Sequence, residues 1–229
     1  MSIDAYPGLD HAERTGRDGR VTGGLGATSL LFRNNDLVWP DFAAVDLVTL
    51  HPAIEYEPRA SDGATTDDVL ASQVPQIEAS SLPTLVTLTA GGNDLLGILG
   101  RHETPAEGER QMERALGNLR KILGRVRAKL PRSFVLCATV YDPSDGLGKL
   151  EHVTLAPEIM VLLSRFNDAI RGLEARDVRV VDLANHFAGH GASVPVAERW
   201  YWCQVIIEPG WLGASEIRRL WLRALGVAA

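Results

Sequence analysis

Apolar and polar positions along the chain follow two alternating patterns. Runs of apolar and β-branched residues predict strands at 84–90, 133–140 and 178–183, and the stretch 54–60 is interpreted as a fourth, short strand. Between them, apolar residues recur at three- and four-residue spacing and predict amphipathic helices, most clearly from Met112 to Leu130. Strands that alternate with helices predict right-handed βαβ units and a mostly parallel sheet covered on both faces, which is an α/β fold.

The first part of the chain departs from this alternation. Residues 1–34 contain six glycines and no strand-like run, so we expect an irregular segment where most α/β domains open with a strand. Helical spacing then predicts a helix from Pro40 to the stop at His51. A later helix is expected to start at Thr65 or Thr66, whose hydroxyl can cap it. With 229 residues, the chain has the length of one domain spanning 1–229.

The strand-like run at 84–90 ends in Gly91-Gly92-Asn93-Asp94. Ligands of open α/β sheets bind just past the carboxyl ends of the strands, so Asn93 and Asp94 stand where a site is expected. The two glycines let the backbone turn and approach a neighbouring group closely. The alternative is a plain turn, because Gly, Asn and Asp all favour turns.

The charge and composition narrow the class of partner. A net charge of −6 and a pI near 5.5 argue against a nucleic acid or an anionic membrane surface as partner. No apolar run reaches the roughly 18 residues of a membrane span, and the first residues lack the pattern of a signal peptide. Cys137 and Cys203 fit a reducing compartment better than a disulfide framework, so we expect a cytoplasmic protein. The oligomeric state is left open.

The Gly91-Gly-Asn93-Asp94 stretch resembles the Gly-x-Asn-Asp block of the SGNH (GDSL-type) hydrolases. The resemblance implies a three-layer α/β/α sandwich with a flavodoxin-like parallel sheet. It also implies that the Asn93 side chain helps to form an oxyanion hole. The family's second block supplies a glycine N–H to the same oxygen, and here Gly63 lies just past the run at 54–60, as Asn93 lies past the next one. The alternative for Gly63 is a purely structural turn.

The chain departs from the family pattern at the nucleophile. The family serine lies in an N-terminal Gly-Asp-Ser block, which this sequence lacks. The stretch from Met1 to Gly8 resembles the residues that come after that serine in the family, and we interpret the start as a lost or misassigned N-terminus. The sheet would then lack its first strand and show a gap, or an ill-formed edge, between 54–60 and 84–90. A chain extended upstream would be more soluble. The alternatives are that Ser2 serves as nucleophile, or that none exists.

The second departure concerns the general base. The family carries Asp-x-x-His-Pro before its closing helix, but here Val205 and Glu208 occupy the Asp and His positions. We therefore expect His190, in the long segment 184–212, to act as base, with Glu208 orienting its ring. His186 is the second candidate for the base. The alternative for His190 is that it is a turn residue without a catalytic role.

Two further hypotheses concern this segment. The spacing of Asp182, His186 and His190 would suit a metal on one helix face, but Gly189 and Gly191 argue against that helix. We therefore expect no metal and no cofactor. Trp200, Trp202 and Trp211 could stack on a sugar or an acyl group, or pack against a core.

The resemblance implies an esterase that acts on a small-molecule ester, a small carboxylic or acetyl ester of a lipid or sugar, through a serine mechanism. The first alternative is a catalytically impaired relative that binds a small molecule or carbohydrate. A second is a phosphate- or nucleotide-binding protein that uses the Gly63 turn, although little of a phosphate loop is visible.

Overall fold

The computed structural model describes residues 26–228 apart from 35, 37–38, 101–103, 151–152 and 203–205. These residues divide into two compact units. The sheet unit is Arg59–Ala188, and the terminal unit comprises the described residues up to Pro58 together with those from Gly189 onward.

The helices and strands are numbered along the chain. The helices are α1 (Ala27–Phe32), α2 (Leu47–Leu50), α3 (Thr66–Asp68), α4 (Gly92–Gly100), α5 (Pro105–Lys129), α6 (Pro157–Arg171), α7 (Leu183–Phe187) and α8 (Trp211–Ala224). A π-helical turn (Val69–Gln73) and a 3-10 turn (Val74–Gln76) continue α3, and further 3-10 turns occupy Pro40–Phe42 and Val196–Glu198. The strands are β1 (Thr84–Leu88), β2 (Ser133–Ala138), β3 (Lys149–Leu150), β4 (Val153–Thr154) and β5 (Val178–Val181).

The sheet unit is built on a parallel sheet of order β1-β2-β5. Leu88 pairs with Cys137 at the end of β1, and Ala138 pairs with Val181 at the end of β5. The central strand β2 is buried on both faces, since the adjacent residues Val135 and Leu136 are both inaccessible. Three of the predicted strands are therefore present, in the parallel arrangement that the alternating pattern predicts.

The helices of the sheet unit bury the stripes that their sequences predict. Residues of α5, including Leu119 and Ile122, share one core with Phe166 and Ile170 of α6. The α5 helix starts with a capping box in which Thr104 and Glu107 bind each other's backbone N–H. A parallel sheet flanked by helices is the α/β fold that the alternating pattern predicts.

The predicted strand at 54–60 does not form. These residues have no ladder partner, and the polar ones, among them Glu55 and Glu57, are exposed. Pro58 also removes a backbone donor that a ladder would use. A strand exists only where a neighbour supplies the other half of its hydrogen bonds, and no described strand does so here.

This absence changes the expectation for the sheet edge. The gap or ill-formed edge was predicted between a strand at 54–60 and β1, and of these two strands only β1 is formed. Among the described residues no strand pairs along the outer side of β1, which is only half-buried. The interpretation of the N-terminus, with Met1 and Ser2, concerns residues outside those that the structure describes.

The terminal unit is helical. The α1 helix packs against α8 and buries Leu30 and Leu31, so a short helix occupies part of the segment 1–34 that was expected to be irregular. The helix predicted from Pro40 to His51 is broken, because Ala44 adopts a left-handed φ of 66°. The second piece, α2, begins where Asp46 accepts a hydrogen bond from Thr49 N–H. No described helix combines the length and the apolar character needed to cross a membrane.

Candidate active site

The Gly63 turn leads into α3. Gly63 has a φ of 72°, a left-handed value that favours glycine, and no described residue accepts a hydrogen bond from its N–H. The turn is held from the α3 side by a capping box between Thr65 and Asp68. Hydrogen bonds from the Thr65 side chain and backbone lower the pKa of Asp68 and keep it ionised. The Gly63 N–H is therefore an available donor on an anchored turn.

The Asn93 side chain reaches this turn. The α4 helix begins at Gly92, so Asn93 lies in its first turn rather than in a loop. Its Nδ2 donates to the carbonyl oxygen of Ala64 at 2.9 Å. That bond uses one N–H of the amide, and no described residue accepts from the other. The structure thus brings the Asn93 amide to the residue next to Gly63.

Asp94 makes a second connection between the same two turns. Its carboxylate accepts from Thr66 N–H at 2.9 Å and from the Thr66 hydroxyl at 2.7 Å. Burial raises the pKa of Asp94, and the hydrogen bonds from Thr66 offset this effect only in part. The two hydrogen bonds from Thr66 therefore stabilise the Asp94 carboxylate, because burying a charge without such donors costs free energy.

Gly91 is required by its surroundings. Its φ of 112° lies in the left-handed region, and a Cβ at this position would overlap the Phe166 ring. The turn that presents Asn93 therefore lies directly against the core of α6. Sequence composition predicts a turn here, but only the packing explains why the residue is glycine.

His190 lies in the terminal unit, in an irregular stretch. Its ring stacks on Trp200 with centroids 3.5 Å apart and an interplanar angle of 7°. Its carbonyl oxygen also accepts from Trp200 N–H at 2.9 Å. In this structure the partner of the Trp200 ring is therefore a side chain of the protein itself.

Glu208 is buried just before α8. It lies on a short antiparallel pairing in which Trp202 N–H donates to the Glu208 carbonyl and Tyr201 is bridged to Pro209. No hydrogen bond joins the His190 ring to Glu208 in the described part of the chain. The expected contact between the two is therefore not formed in this structure, and their shared catalytic role stays a prediction.

Asp182 and His186 do not form a helical metal site with His190. The α7 helix ends at Phe187, and Gly189 has a φ of 84°, so the i, i+4 spacing does not continue to His190. The Asp182 carboxylate instead binds the Arg171 guanidinium through two bonds of 3.0 Å each. Burial alone would raise the pKa of Asp182, but the bonds from Arg171, Thr139 and Asn185 outweigh it and lower the pKa. Across the residues described, no group of three or more His, Cys, Asp or Glu could hold a metal ion.

Two residues that support the site are not evident as such in the sequence. The sequence indicates Thr66 only as a helix cap, and it assigns no role to Asn118. Asn118 is buried on α5 and donates to the Thr66 hydroxyl at 3.3 Å and to Asp67 at 2.9 Å. The sequence nevertheless indicates that Asn118 is buried, because this polar residue falls on the apolar stripe, three residues after Ala115.

Comparisons with known proteins agree with this architecture. Residues 20–198 match the family model of the GDSL-like lipase/acylhydrolase family, a segment that ends before Glu208. The fold is similar to that of an extracellular lipase from Streptomyces rimosus, with a TM-score of 0.55, 18% identity and coverage of 96% of this chain and 95% of the lipase.

It is also similar to the lipase Lip_vut3 from a goat rumen metagenome, with a TM-score of 0.53, 20% identity and coverage of 72% and 75%. No curated protein matches the chain in sequence. The structural likenesses concern the fold alone, whereas the family model covers well over half of the sequence. The chain therefore belongs to the GDSL-like lipase/acylhydrolase family.

Proposed function

We propose that the protein is an ester hydrolase that uses an SGNH-type serine mechanism on a small carboxylic or acetyl ester of a lipid or sugar. Membership of the family supports ester hydrolysis in general. The observation that carries the proposal is the 2.9 Å hydrogen bond from the Asn93 amide to Ala64, beside Gly63. This bond holds the Asn93 amide beside Gly63, and the family resemblance implies that these two residues supply the oxyanion donors.

In this mechanism the serine oxygen attacks the ester carbonyl carbon and its proton passes to the base. The carbonyl oxygen becomes an oxyanion, which the Gly63 N–H and the second N–H of Asn93 stabilise. The alcohol leaves with the proton from the base, and water then hydrolyses the acyl-enzyme. The bond to Ala64 supports the role of Asn93, because it restrains the amide before the oxyanion forms. The serine is not assigned, and Ser2 remains one candidate.

His190 is the proposed base. Stacking on Trp200 covers a face of its ring and leaves the ring nitrogens, which lie in the ring plane, without a partner among the described residues. Histidine is the side chain that most often serves as a general base. Glu208 is the proposed orienting carboxylate, which would have to form its bond to the ring in the complex with substrate.

The oxyanion donors are tested by replacing Asn93 with alanine. With p-nitrophenyl acetate as substrate, we expect Asn93→Ala to lower kcat about 10²- to 10³-fold with little change in KM. Gln76→Ala is the matched control, since the Gln76 amide also donates to a backbone carbonyl at 2.9 Å but on an exposed turn. Equal activity of the two variants and the wild type would contradict the oxyanion role.

A second function, small-molecule or carbohydrate binding without catalysis, is supported by the missing bond between His190 and Glu208 and by glutamate at the family's histidine position. A fluorophosphonate probe separates the two functions, because it labels an activated serine covalently. Labelling of one serine, located by peptide mapping, supports the hydrolase. Absence of labelling together with absence of ester turnover supports the binding protein.

A further inference from the structure

The two turns that carry the proposed oxyanion donors, Gly63 and Asn93, are joined by side-chain hydrogen bonds. Asn93 donates to Ala64, and Thr66 donates twice to Asp94, so residues about 30 positions apart in sequence are linked by three bonds of 2.7–2.9 Å. Each donor residue lies close to one end of this linkage. Gly63 precedes Thr66 by three residues, and Asn93 is adjacent to Asp94.

Thr66 is at the centre of this linkage. It is completely buried, and its hydroxyl donates to Asp94 while it accepts from Asn118 Nδ2 at 3.3 Å. Asn118 also binds Asp67, which in turn pairs with Arg114 on the exposed side of α5. The Thr66 hydroxyl therefore has a defined direction, set by the long helix α5 on one side and by α4 on the other.

The chemistry of an oxyanion hole makes such a linkage useful. Donors stabilise the developing charge only if their positions relative to each other are held to within about 0.5 Å. A glycine in an exposed turn has no side chain to hold it, and Gly63 is exposed, with nothing within 4 Å of the place that a Cβ would occupy. Its nearest restraints toward the sheet are therefore the bonds made by Ala64 and Thr66.

We propose that Thr66 is a positioning residue which, through the Asp94 carboxylate, sets the separation of the Gly63 and Asn93 donors. This inference rests on the proposed function, because positioning matters only if the two donors share one oxygen. Asn118 contributes by holding the Thr66 hydroxyl toward Asp94. The alternative is a purely structural role, in which the network only stabilises the start of α4.

The test compares two buried threonines with similar bonding. Thr139 is also buried, and its hydroxyl donates to Asp182 at 3.0 Å and accepts from Ala184 N–H at 2.9 Å. Thr66→Val and Thr139→Val each remove one hydroxyl while keeping the side-chain shape, so both are expected to lose stability by similar amounts. Both variants are assayed at a temperature where they are fully folded.

We expect Thr66→Val to lower kcat for p-nitrophenyl acetate about tenfold with KM nearly unchanged, since misplaced groups cost rate rather than binding. Thr66→Ser restores most of kcat, and Thr139→Val leaves it unchanged. In an Asn93→Ala background, Thr66→Val has little further effect, because the donor that it positions is absent. Equal kcat losses in the two valine variants, or full additivity with Asn93→Ala, would overturn the proposal.

A second measurement separates this proposal from the proposed function. The side-chain amide of Asn93 gives its own NMR signals, which we expect to shift in Thr66→Val and to stay unchanged in Thr139→Val. If the wild-type protein hydrolyses no ester, the proposed function fails, and the catalytic meaning of Thr66 fails with it. If esters are hydrolysed but the Asn93 signals are the same in both variants, the positioning role of Thr66 is wrong while the hydrolase stands.

Discussion

At the scale of single residues, Gly91 shows how closely the candidate site is joined to the core. The residue satisfies two independent constraints, a left-handed φ of 112° and an approach of the Phe166 ring that leaves no room for a Cβ. The second constraint comes from α6, far along the chain. A substitution here would push the turn away from the core and move Asn93 with it.

We therefore predict that Gly91→Ala lowers the free energy of unfolding by about 3 kcal/mol, as the sum of overpacking and backbone strain. Urea unfolding followed by circular dichroism gives this value. Gly146→Ala is the control, because Gly146 has a φ of 78° but nothing within 4 Å of the place that a Cβ would occupy. We expect about 1 kcal/mol for the control, and equal losses in the two variants would show that the Phe166 contact has no energetic weight.

Two carboxylates that follow strands of the same sheet, Asp94 after β1 and Asp182 after β5, also differ at this scale. Burial raises the pKa of Asp94, whose main donors are the neutral hydroxyl and N–H of Thr66. At Asp182 the same effect of burial is outweighed, because a guanidinium is among the donors, and the pKa is lowered. A cationic partner keeps a carboxylate ionised. With neutral partners, the pKa of the carboxylate depends on the geometry of its hydrogen bonds.

At the scale of elements, Asn167 links α6 to the end of β2. Its side-chain amide accepts from Val140 N–H at 2.7 Å and donates to the Val140 carbonyl at 2.8 Å. These are the two bonds that a neighbouring strand would make with Val140 if the ladder continued. A buried side chain thus satisfies the backbone where β2 leaves the sheet.

We predict that Asn167→Leu lowers the free energy of unfolding by about 3 kcal/mol, because both polar groups of Val140 lose their partner in a half-buried place. Hydrogen exchange should show faster exchange of the Val140 amide. Asn185→Leu is the control, since Asn185 is exposed and binds the side chain of Asp182 instead. If Val140 keeps its protection in Asn167→Leu, another group satisfies this backbone and the prediction is wrong.

The terminal unit has its own buried polar element. Arg218 of α8 is almost inaccessible, lies over the Phe42 ring at 3.6 Å and donates to Asn34 and Ser215. Burial lowers its pKa to about 9, with nearby Arg219 acting in the same direction. The side chain thus remains charged at neutral pH and ties α8 to the segment after α1.

At the scale of the whole molecule, the main question is which group takes the proton. The family resemblance implies that Glu208 stands where the family's closing block has its histidine, and Glu208 lies beyond the matched segment 20–198. A serine mechanism near neutral pH needs a base that accepts a proton without a large change in its pKa, which histidine provides. The proposal therefore assigns the base to a histidine from outside that block.

We predict that His190→Ala lowers kcat for p-nitrophenyl acetate about 10²- to 10⁴-fold, whereas His186→Ala changes it only slightly. The two residues lie four positions apart, so each variant is the other's control. Steady-state kinetics on folded protein, checked by circular dichroism, decides between them. Small and equal effects would leave Glu208 or no residue as base and would favour the binding protein.

Much of the fold is predictable from local patterns. Apolar spacing predicts three helices and three strands of the structure, namely α5, α6 and α8 and β1, β2 and β5. It does so because the residues that bury one face of an element lie close together in the sequence. Gly63 and Asn93 stand out because each is a turn residue that follows a predicted strand. Their proximity is implied by the family resemblance, and the bond from Asn93 to Ala64 agrees with it.

The tertiary structure decided what depends on distant partners. The stretch 54–60 was predicted as a strand, but no described strand lies beside it, and a strand is stable only in a ladder. The bonds of Thr66 to Asp94 and Asn118 join residues 28 and 52 positions apart, and the stacking of His190 depends on how a long irregular segment folds back. Sequence patterns determined which faces are buried, because the apolar residues of one face are close together in the sequence. Only the tertiary structure decided which polar groups pair, because their partners are distant in the sequence.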